Sequence, residues 1–273
     1  MSDCKIAFLF LTYNDLKQYT LWENYFKQAK NYNIYVHPKF PTQVTNPLLI
    51  KRIIPNIIET KWGDISLVEA TINLLEEALN DSKENNKFIL LSDSCIPVST
   101  FDDMYKFVTK NDNSYLTAVG NHKSRYNKLK NKNYISKKEF RKQHQWMMLN
   151  RRHAQLIVDT RQNTRFFSDM FAPDEHYFVN TLKHYNQSFI NHCITYVDWV
   201  DQIYHPRIFK LVDVSLAEKL QKKKYFFLRK IEKDTKVDHS IVVKVESNNI
   251  TPIIICILVL ILIIYINRKT NYK

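Results

Sequence analysis

Apolar runs of strand length alternate with helically spaced apolar positions along the chain. Lys5–Thr12 (KIAFLFLT) is almost continuously apolar and closes at Asn14-Asp15. A run without polar alternation predicts a strand buried on both faces. Trp22, Phe26 and Ala29 follow at helical spacing, then Asn33–His37 (NIYVH) predicts a second strand and Ile50–Ile54 a third. Ser66 is a candidate N-cap for a helix running to about Asp81, with Val68, Ile72, Leu75 and Leu79 on one face. Lys87–Leu91 (KFILL) predicts a buried strand ending in Ser-Asp-Ser-Cys-Ile-Pro, and Phe101–Thr109 a helix. Residues 120–142 read as a long polar, basic loop. Beyond it Trp146–Leu149 is strand-like, while Arg152–Thr160 and Asp174–His184 are helical, the second with Asp174 near its N-terminus.

This alternation predicts an α/β fold with a mostly parallel central sheet flanked by helices. Such sheets bind ligands at the carboxyl ends of their strands. The loops after Thr12, His37 and Leu91 therefore form the predicted rim of a site.

The apolar pattern changes at the C-terminus. Ile250–Ile266 (ITPIIICILVLILIIYI) holds no charged residue, and Arg268, Lys269 and Lys273 follow it. At ~1.5 Å rise such a helix is about 25 Å long, close to the thickness of a hydrocarbon core. A core helix would keep a polar face, which this stretch lacks. It predicts a transmembrane helix over residues 250–267, with a juxtamembrane linker at 236–249 and a short basic tail at 268–273. The N-terminal run IAFLFL is too short for a signal-peptide core, so the expected anchor is C-terminal and single-pass. Lysines stand on both sides of the span, and the charge rule leaves the membrane and the side it faces open.

Composition narrows the chemistry. The chain has 273 residues, 45% hydrophobic and 25% charged, which excludes wholesale disorder. Only two are glycine, Gly63 and Gly120, so P-loop and dinucleotide sites built on glycine-rich loops are excluded. The formal charge is +13, concentrated at 123–142 and 219–230. No helix-turn-helix, zinc-finger or RNA-recognition pattern accompanies these runs, and no nucleic-acid partner is expected. A basic surface suits a diphosphate or an anionic membrane equally. Cys4, Cys95, Cys193 and Cys256 show no metal spacing and read as free thiols, with a Cys95–Cys193 bridge left open. The nine histidines form no HExxH-type cluster, and no DxD pair stands ready for a divalent cation.

Three segments concentrate candidate chemistry: Leu91–Pro97 around Asp93, Ala172–Tyr177 with Asp174 and Glu175, and Tyr196–Trp199 followed by His205-Pro206-Arg207. Each also has a plain structural reading as a turn, a helix start or aromatic packing.

Together they carry a resemblance. KIAFLFLT with Leu21-Trp22-Glu23, IYVH at 34–37, WGDISLVEA at 62–70, FILLSDSCIPV at 88–98, QWMMLNRRHA at 145–154, PDEHYF at 173–178, VDW at 197–199 with His205-Pro206, and FFLRKI at 226–231 stand in register. The chain resembles the core-2/I-branching β-1,6-N-acetylglucosaminyltransferases, most closely the plant relatives in glycosyltransferase family 14. The resemblance implies a GT-A-like fold over residues 1–235, a UDP-sugar donor and inversion at the transferred sugar. It implies Glu175 as general base, with Lys230 and Arg207 on the diphosphate in place of a metal, so that no cofactor is expected. It brings Thr12, His37, Trp62 and Asp93 to the nucleotide, and Gln145, Trp146 and Asp174 to the acceptor. Two departures stand out: His37 occupies a position where animal members carry an acid, and the expected anchor is C-terminal, not N-terminal.

The expected protein is thus a membrane-anchored enzyme moving a sugar, with N-acetylglucosamine favoured, onto a glycan or glycoprotein hydroxyl. A catalytically inactive glycan-binding or membrane-tethered protein of the same fold is the alternative.

Overall fold

The computed structural model describes residues 4–27, 29–120, 122–199 and 205–243. The chain divides into a unit Met1–Val242 and a unit Val243–Lys273, and every element below lies in the first. The strands are β1 (Lys5–Thr12), β2 (Tyr32–Pro38), β3 (Asn85–Ser92), β4 (Ile96–Pro97), β5 (Tyr115–Leu116), β6 (Met148–Asn150), β7 (Ile190–Asn191), β8 (Thr195–Val197), β9 (Phe209–Val212), β10 (Phe227–Arg229) and β11 (Ile231–Val237). The helices are α1 (Tyr19–Lys27), α2 (Pro47–Ile50), α3 (Ser66–Asp81), α4 (Phe101–Thr109), α5 (Lys123–Tyr126), α6 (Arg151–Asp159), α7 (Tyr177–His184) and α8 (Val214–Lys222).

A six-stranded sheet runs β2-β1-β3-β6-β5-β7. β1 pairs in parallel with β2 and β3, as the apolar runs require: every residue of β1 from Ile6 to Thr12 is buried. Past β3 the expectation of a mostly parallel sheet fails. β6 is antiparallel to both β3 and β5, and β7 returns parallel to β5, so the sheet is mixed. Strand direction depends on which long connection returns to which edge, and periodicity does not carry that.

A second sheet, β4-β10-β8, stands beside the end of β3. α3 and α6 pack together against the main sheet. Phe8 of β1 projects into an aromatic cluster with Trp22, Tyr25, Phe26, Phe101 and Phe227. Trp22 serves the site directly. Its indole N–H donates to the Cys95 carbonyl at 3.1 Å and anchors the turn that follows β3.

Local capping departs from expectation at α3. Asp64 accepts the Ser66 N–H at 2.9 Å, and the Ser66 hydroxyl accepts the Lys61 N–H at 3.0 Å. Ser66 therefore ties down the preceding loop and leaves the capping to Asp64. The Ile50–Ile54 strand is likewise corrected: α2 ends there, and only Ile53 bridges to Val36. The basic segment 120–142 is no free loop. α5 opens it, Leu129, Tyr134, Ile135 and Phe140 are buried, and paired Val119–Lys142 hydrogen bonds of 2.8 and 3.0 Å close it.

Cys4, Cys95 and Cys193 are free thiols, so the open Cys95–Cys193 bridge is not formed. Among the described residues no helix is long and apolar enough to cross a membrane. The expected anchor at 250–267 and its tail lie outside the described residues.

Candidate active site

The strand ends converge on one cavity of about 700 Å³. Thr12 and Tyr13 enter it from the end of β1, Lys39 from just past β2, and Ser92 and Asp93 from the end of β3. The second sheet adds Arg229 and Lys230 from the end of β10, with Val197, Trp199, His205 and Pro206 beside them. Lys142, His144, Gln145 and Trp146 from the segment before β6, and Asp174 and Glu175 from the turn before α7, complete the lining.

Arg229 is the most heavily engaged cation at the β3 end. It donates to Ser92 Oγ at 2.6 Å and Ser94 Oγ at 3.0 Å, and its guanidinium lies 4.4 Å above the Trp146 ring. Stacking of this kind contributes ~0.5–2 kcal/mol and fixes the plane of the fork. Asp93 sits nearby; burial raises its pKa, while Lys17 and Arg229 pull it back down. Lys230 is also desolvated, and with Arg229 and Lys17 near it, its pKa is lowered. Lys17 is paired with Glu232 at 2.5 Å, so three cations stand against two carboxylates, Asp93 and Glu232, and one positive charge is left over, which suits an anionic group.

At the other end the chain turns sharply. Ala172 takes a left-handed φ of 51°, Pro173–Glu175 form a 3-10 turn, and His176 leaves helical geometry before α7 starts at Tyr177. The predicted helix from Asp174 is thus broken in two, and the break aims both acids into the cavity. Glu175 pairs with Lys142 at 3.0 Å through Oε2. Asp174 is only 6% exposed, and burial, then the neighbouring Glu175 charge, push its pKa up to about 7. His176 stacks on Phe140 at 4.9 Å and donates from Nδ1 to the Arg141 carbonyl at 3.0 Å.

The turn is held from outside by the loop before α3. Ala172 N–H donates to Gly63 C=O at 2.9 Å, and Trp62 meets Phe171 edge-on at 5.2 Å. Arg125 covers the other partner, 4.4 Å from the Phe171 ring.

Eight expected site residues line this one cavity: Thr12, Trp62, Asp93, Gln145, Trp146, Asp174, Glu175 and Lys230. Two do not. His37 is fully buried, and its Nε2 accepts the Ile58 N–H at 3.1 Å, pinning the chain that follows β2. It does not line the cavity, whereas Lys39, just past the end of β2, does. Arg207 is 62% exposed, pairs with Asp198 at 3.6 Å and is not among the lining residues. Arg229 does line the cavity, because pairing of β10 with β4 carries that strand's end to the Ser92–Ser94 turn. Among the described residues no three His, Cys, Asp or Glu side chains converge as metal ligands.

The Core-2/I-Branching enzyme family matches residues 6–223, most of the chain and every cavity wall except the Arg229-Lys230 edge. The chain belongs to that family. It is similar to a rice protein, Glycosyltransferase BC10 (Oryza sativa subsp. japonica), at 32% identity over 165 residues. The alignment covers 58% of this chain and 41% of the relative, so the chain spans well under half of that protein's length.

Sequence reasoning passed over Lys39, Lys142, His144 and Arg229 as site residues. Arg229 had a signal, standing next to Lys230 in the quoted FFLRKI segment. Lys142 and His144 had none, since they sit at the edge of a basic run where a solvated face is the ordinary outcome.

Proposed function

We propose that this chain is an inverting glycosyltransferase of GT-A-like fold, transferring a sugar, with N-acetylglucosamine the favoured one, from a UDP-sugar to a glycan hydroxyl. The observation that carries the reading is a carboxylate and paired cations lining one cavity: Glu175 from the turn before α7, Arg229 and Lys230 at the β10 end. Inversion needs that arrangement. The Glu175 carboxylate takes the proton of the acceptor hydroxyl as its oxygen forms a bond to the anomeric carbon. The bond from that carbon to the diphosphate oxygen breaks, its electron pair leaves with the diphosphate, and Arg229 and Lys230 meet the growing charge. Lys142 pairs with Oε2 of Glu175, and in this reading the other oxygen takes the acceptor's proton. Two cations as counter-charge make the reaction metal-independent in this reading. The rice relative's name supports the class of reaction. Tethering by residues 250–267 is part of the proposal, supported by their uncharged sequence.

The test uses the full chain in detergent with UDP-N-acetylglucosamine and a panel of aryl glycosides, with and without EDTA. Glu175→Gln is expected to lower transfer ~100-fold or more while UDP binding stays intact. Lys230→Ala is expected to weaken UDP binding instead. Full transfer by Glu175→Gln overturns the role of the base, and activity strictly dependent on added Mn²⁺ overturns the Arg/Lys account of the diphosphate.

A further inference from the structure

Among the described residues, Lys142 alone forms an ion pair with Glu175: its Nζ stands 3.0 Å from Oε2, and both residues line the cavity. About a quarter of each side chain is open, 30% of the lysine and 25% of the glutamate, so the pair meets whatever fills the cavity. A lysine in a solvated basic run ordinarily samples many rotamers. Lys142 differs, because the backbone on either side of it is bonded to the turn that carries the acids.

Three consecutive residues make that connection. The Arg141 N–H donates to Asn180 Oδ1 at 2.9 Å, and the Arg141 carbonyl accepts from Asn180 Nδ2 at 2.8 Å and from His176 Nδ1 at 3.0 Å. The Gln143 N–H donates to the Glu175 carbonyl at 2.8 Å, and Gln143 Oε1 accepts the Val179 N–H at 2.6 Å. Between them, Lys142 exchanges both of its backbone hydrogen bonds with Val119, at 2.8 and 3.0 Å. Gln143, His176 and Asn180 are all buried, so these bonds are shielded from water. The root of Lys142 is thereby fixed against the root of Glu175.

A carboxylate has two oxygens, and one of them takes the proton of the acceptor hydroxyl. An ammonium offers three donors and no acceptor. The oxygen that faces it therefore stays an acceptor throughout, first as a carboxylate oxygen and then as the carbonyl oxygen of the acid. The proton is left to Oε1. Substrates that fill the cavity displace water, which strengthens the pair at the step where its orientation counts.

We propose that Lys142 is a positioning residue, holding Glu175 by Oε2 so that Oε1 faces the acceptor hydroxyl. This rests on the reading of Glu175 as base and adds what aims it. The step itself is unchanged: the hydroxyl proton goes to Oε1, the hydroxyl oxygen bonds to the anomeric carbon, and the diphosphate leaves with the electron pair of the broken bond. Lys142 exchanges no proton and touches no reacting atom.

The experiment measures kcat, both KM values and Tm for the full chain in detergent, with UDP-N-acetylglucosamine and the aryl glycoside that the wild type uses best. Hydrolysis of the donor without acceptor, in which water takes the place of the hydroxyl, is a second readout. Lys142→Met keeps most of the stem and removes the charge. It is expected to lower kcat ~10-fold with both KM values within about twofold of wild type. Its Tm is expected to change little, since a partly exposed pair contributes little to stability. Lys142→Arg, which restores a charged donor, is expected to recover most of the loss. In a Glu175→Gln background, Lys142→Met is expected to cost nothing further, because no base is left to aim. UDP binding checks that each variant is folded.

An unchanged kcat in Lys142→Met, or an equal loss on top of Glu175→Gln, overturns the proposal. A rise in either KM with kcat intact overturns it too and makes Lys142 a substrate contact. A loss of kcat that comes with a fall in Tm and is not recovered by Lys142→Arg reduces the pair to a structural tie, which also overturns it. These failures leave Glu175→Gln inactive, whereas failure of the base reading leaves it active, so the two are told apart. A wild type that neither transfers to any glycoside of the panel nor hydrolyses the donor overturns both.

Discussion

Asp174 and His176 flank the candidate base in the chain, and burial pushes their titrations in opposite directions. Asp174 is raised to about 7 from an ordinary 3.8, so between those values the folded protein keeps a proton that the unfolded chain has released. Its contribution to stability is therefore greatest below about pH 4, falls as pH rises to about 7, and is flat beyond. His176 is lowered to about 4 from 6.5, so over that window the unfolded chain binds a proton that the folded state refuses. Stability from that residue is present above pH 6.5 and is lost as pH falls. The two slopes oppose each other from about pH 4 to 6.5, and the wild type is expected to change little there from these two groups. Asp174→Asn removes the falling slope. It is expected to gain stability over wild type at pH 8 by ~1 kcal/mol or more relative to pH 4.5, read from urea midpoints. The same difference at both pH values would show that the carboxyl is not held protonated. Neither residue's environment is visible locally: Asp174 owes its burial to the turn at Ala172, and His176 to a ring thirty-six positions away, Phe140.

Among the elements, the hook between the loop before α3 and the turn before α7 steadies the acids of the site. Gly63 is at its centre, with φ of +73°, and a Cβ there would meet Phe171 Cε2 at 2.6 Å. Left-handed backbone costs a residue with a Cβ ~1–3 kcal/mol, and the Phe171 ring must also shift, carrying the turn with it. Gly63→Ala is expected to lower Tm by several degrees and transfer by more than the loss of folded protein accounts for. Normal transfer by the stable fraction would show that the hook does not set the position of Glu175. The alternation of apolar runs located β1, β2, β3, α3, α4 and α6 because their burial follows from their own periodicity. It failed where two or three residues pair by position alone, as in β5, β7 and β10. It also failed at Ile50–Ile54, where Pro47 and Asn46 start a helical turn inside an apolar run.

At the scale of the whole molecule, a compact unit to Val242 is followed by residues whose sequence predicts a membrane anchor. Deleting residues 250–273 is expected to move the protein from a carbonate-resistant membrane pellet to the supernatant. A truncated chain that stays in the pellet would assign membrane binding to the basic surface and not to the apolar run. The unit itself belongs to its family through segments that are contiguous in sequence, and such segments were legible before any coordinates. Thr12, Asp93, Glu175 and Lys230 could be named from them because the resemblance is carried by short contiguous segments that contain or adjoin these residues. What folding alone decided was the company they keep. Arg229 lines the cavity because β10 pairs with β4, His37 is tied instead to the chain after β2 through Ile58, and Lys142 reached Glu175 because the segment after the basic loop lies along the turn before α7. Apolar periodicity is a property of neighbours in the chain, so one sequence is enough to read it. A site is a set of contacts across the chain, and those exist only once long connections have closed and buried groups have found, or failed to find, their partners.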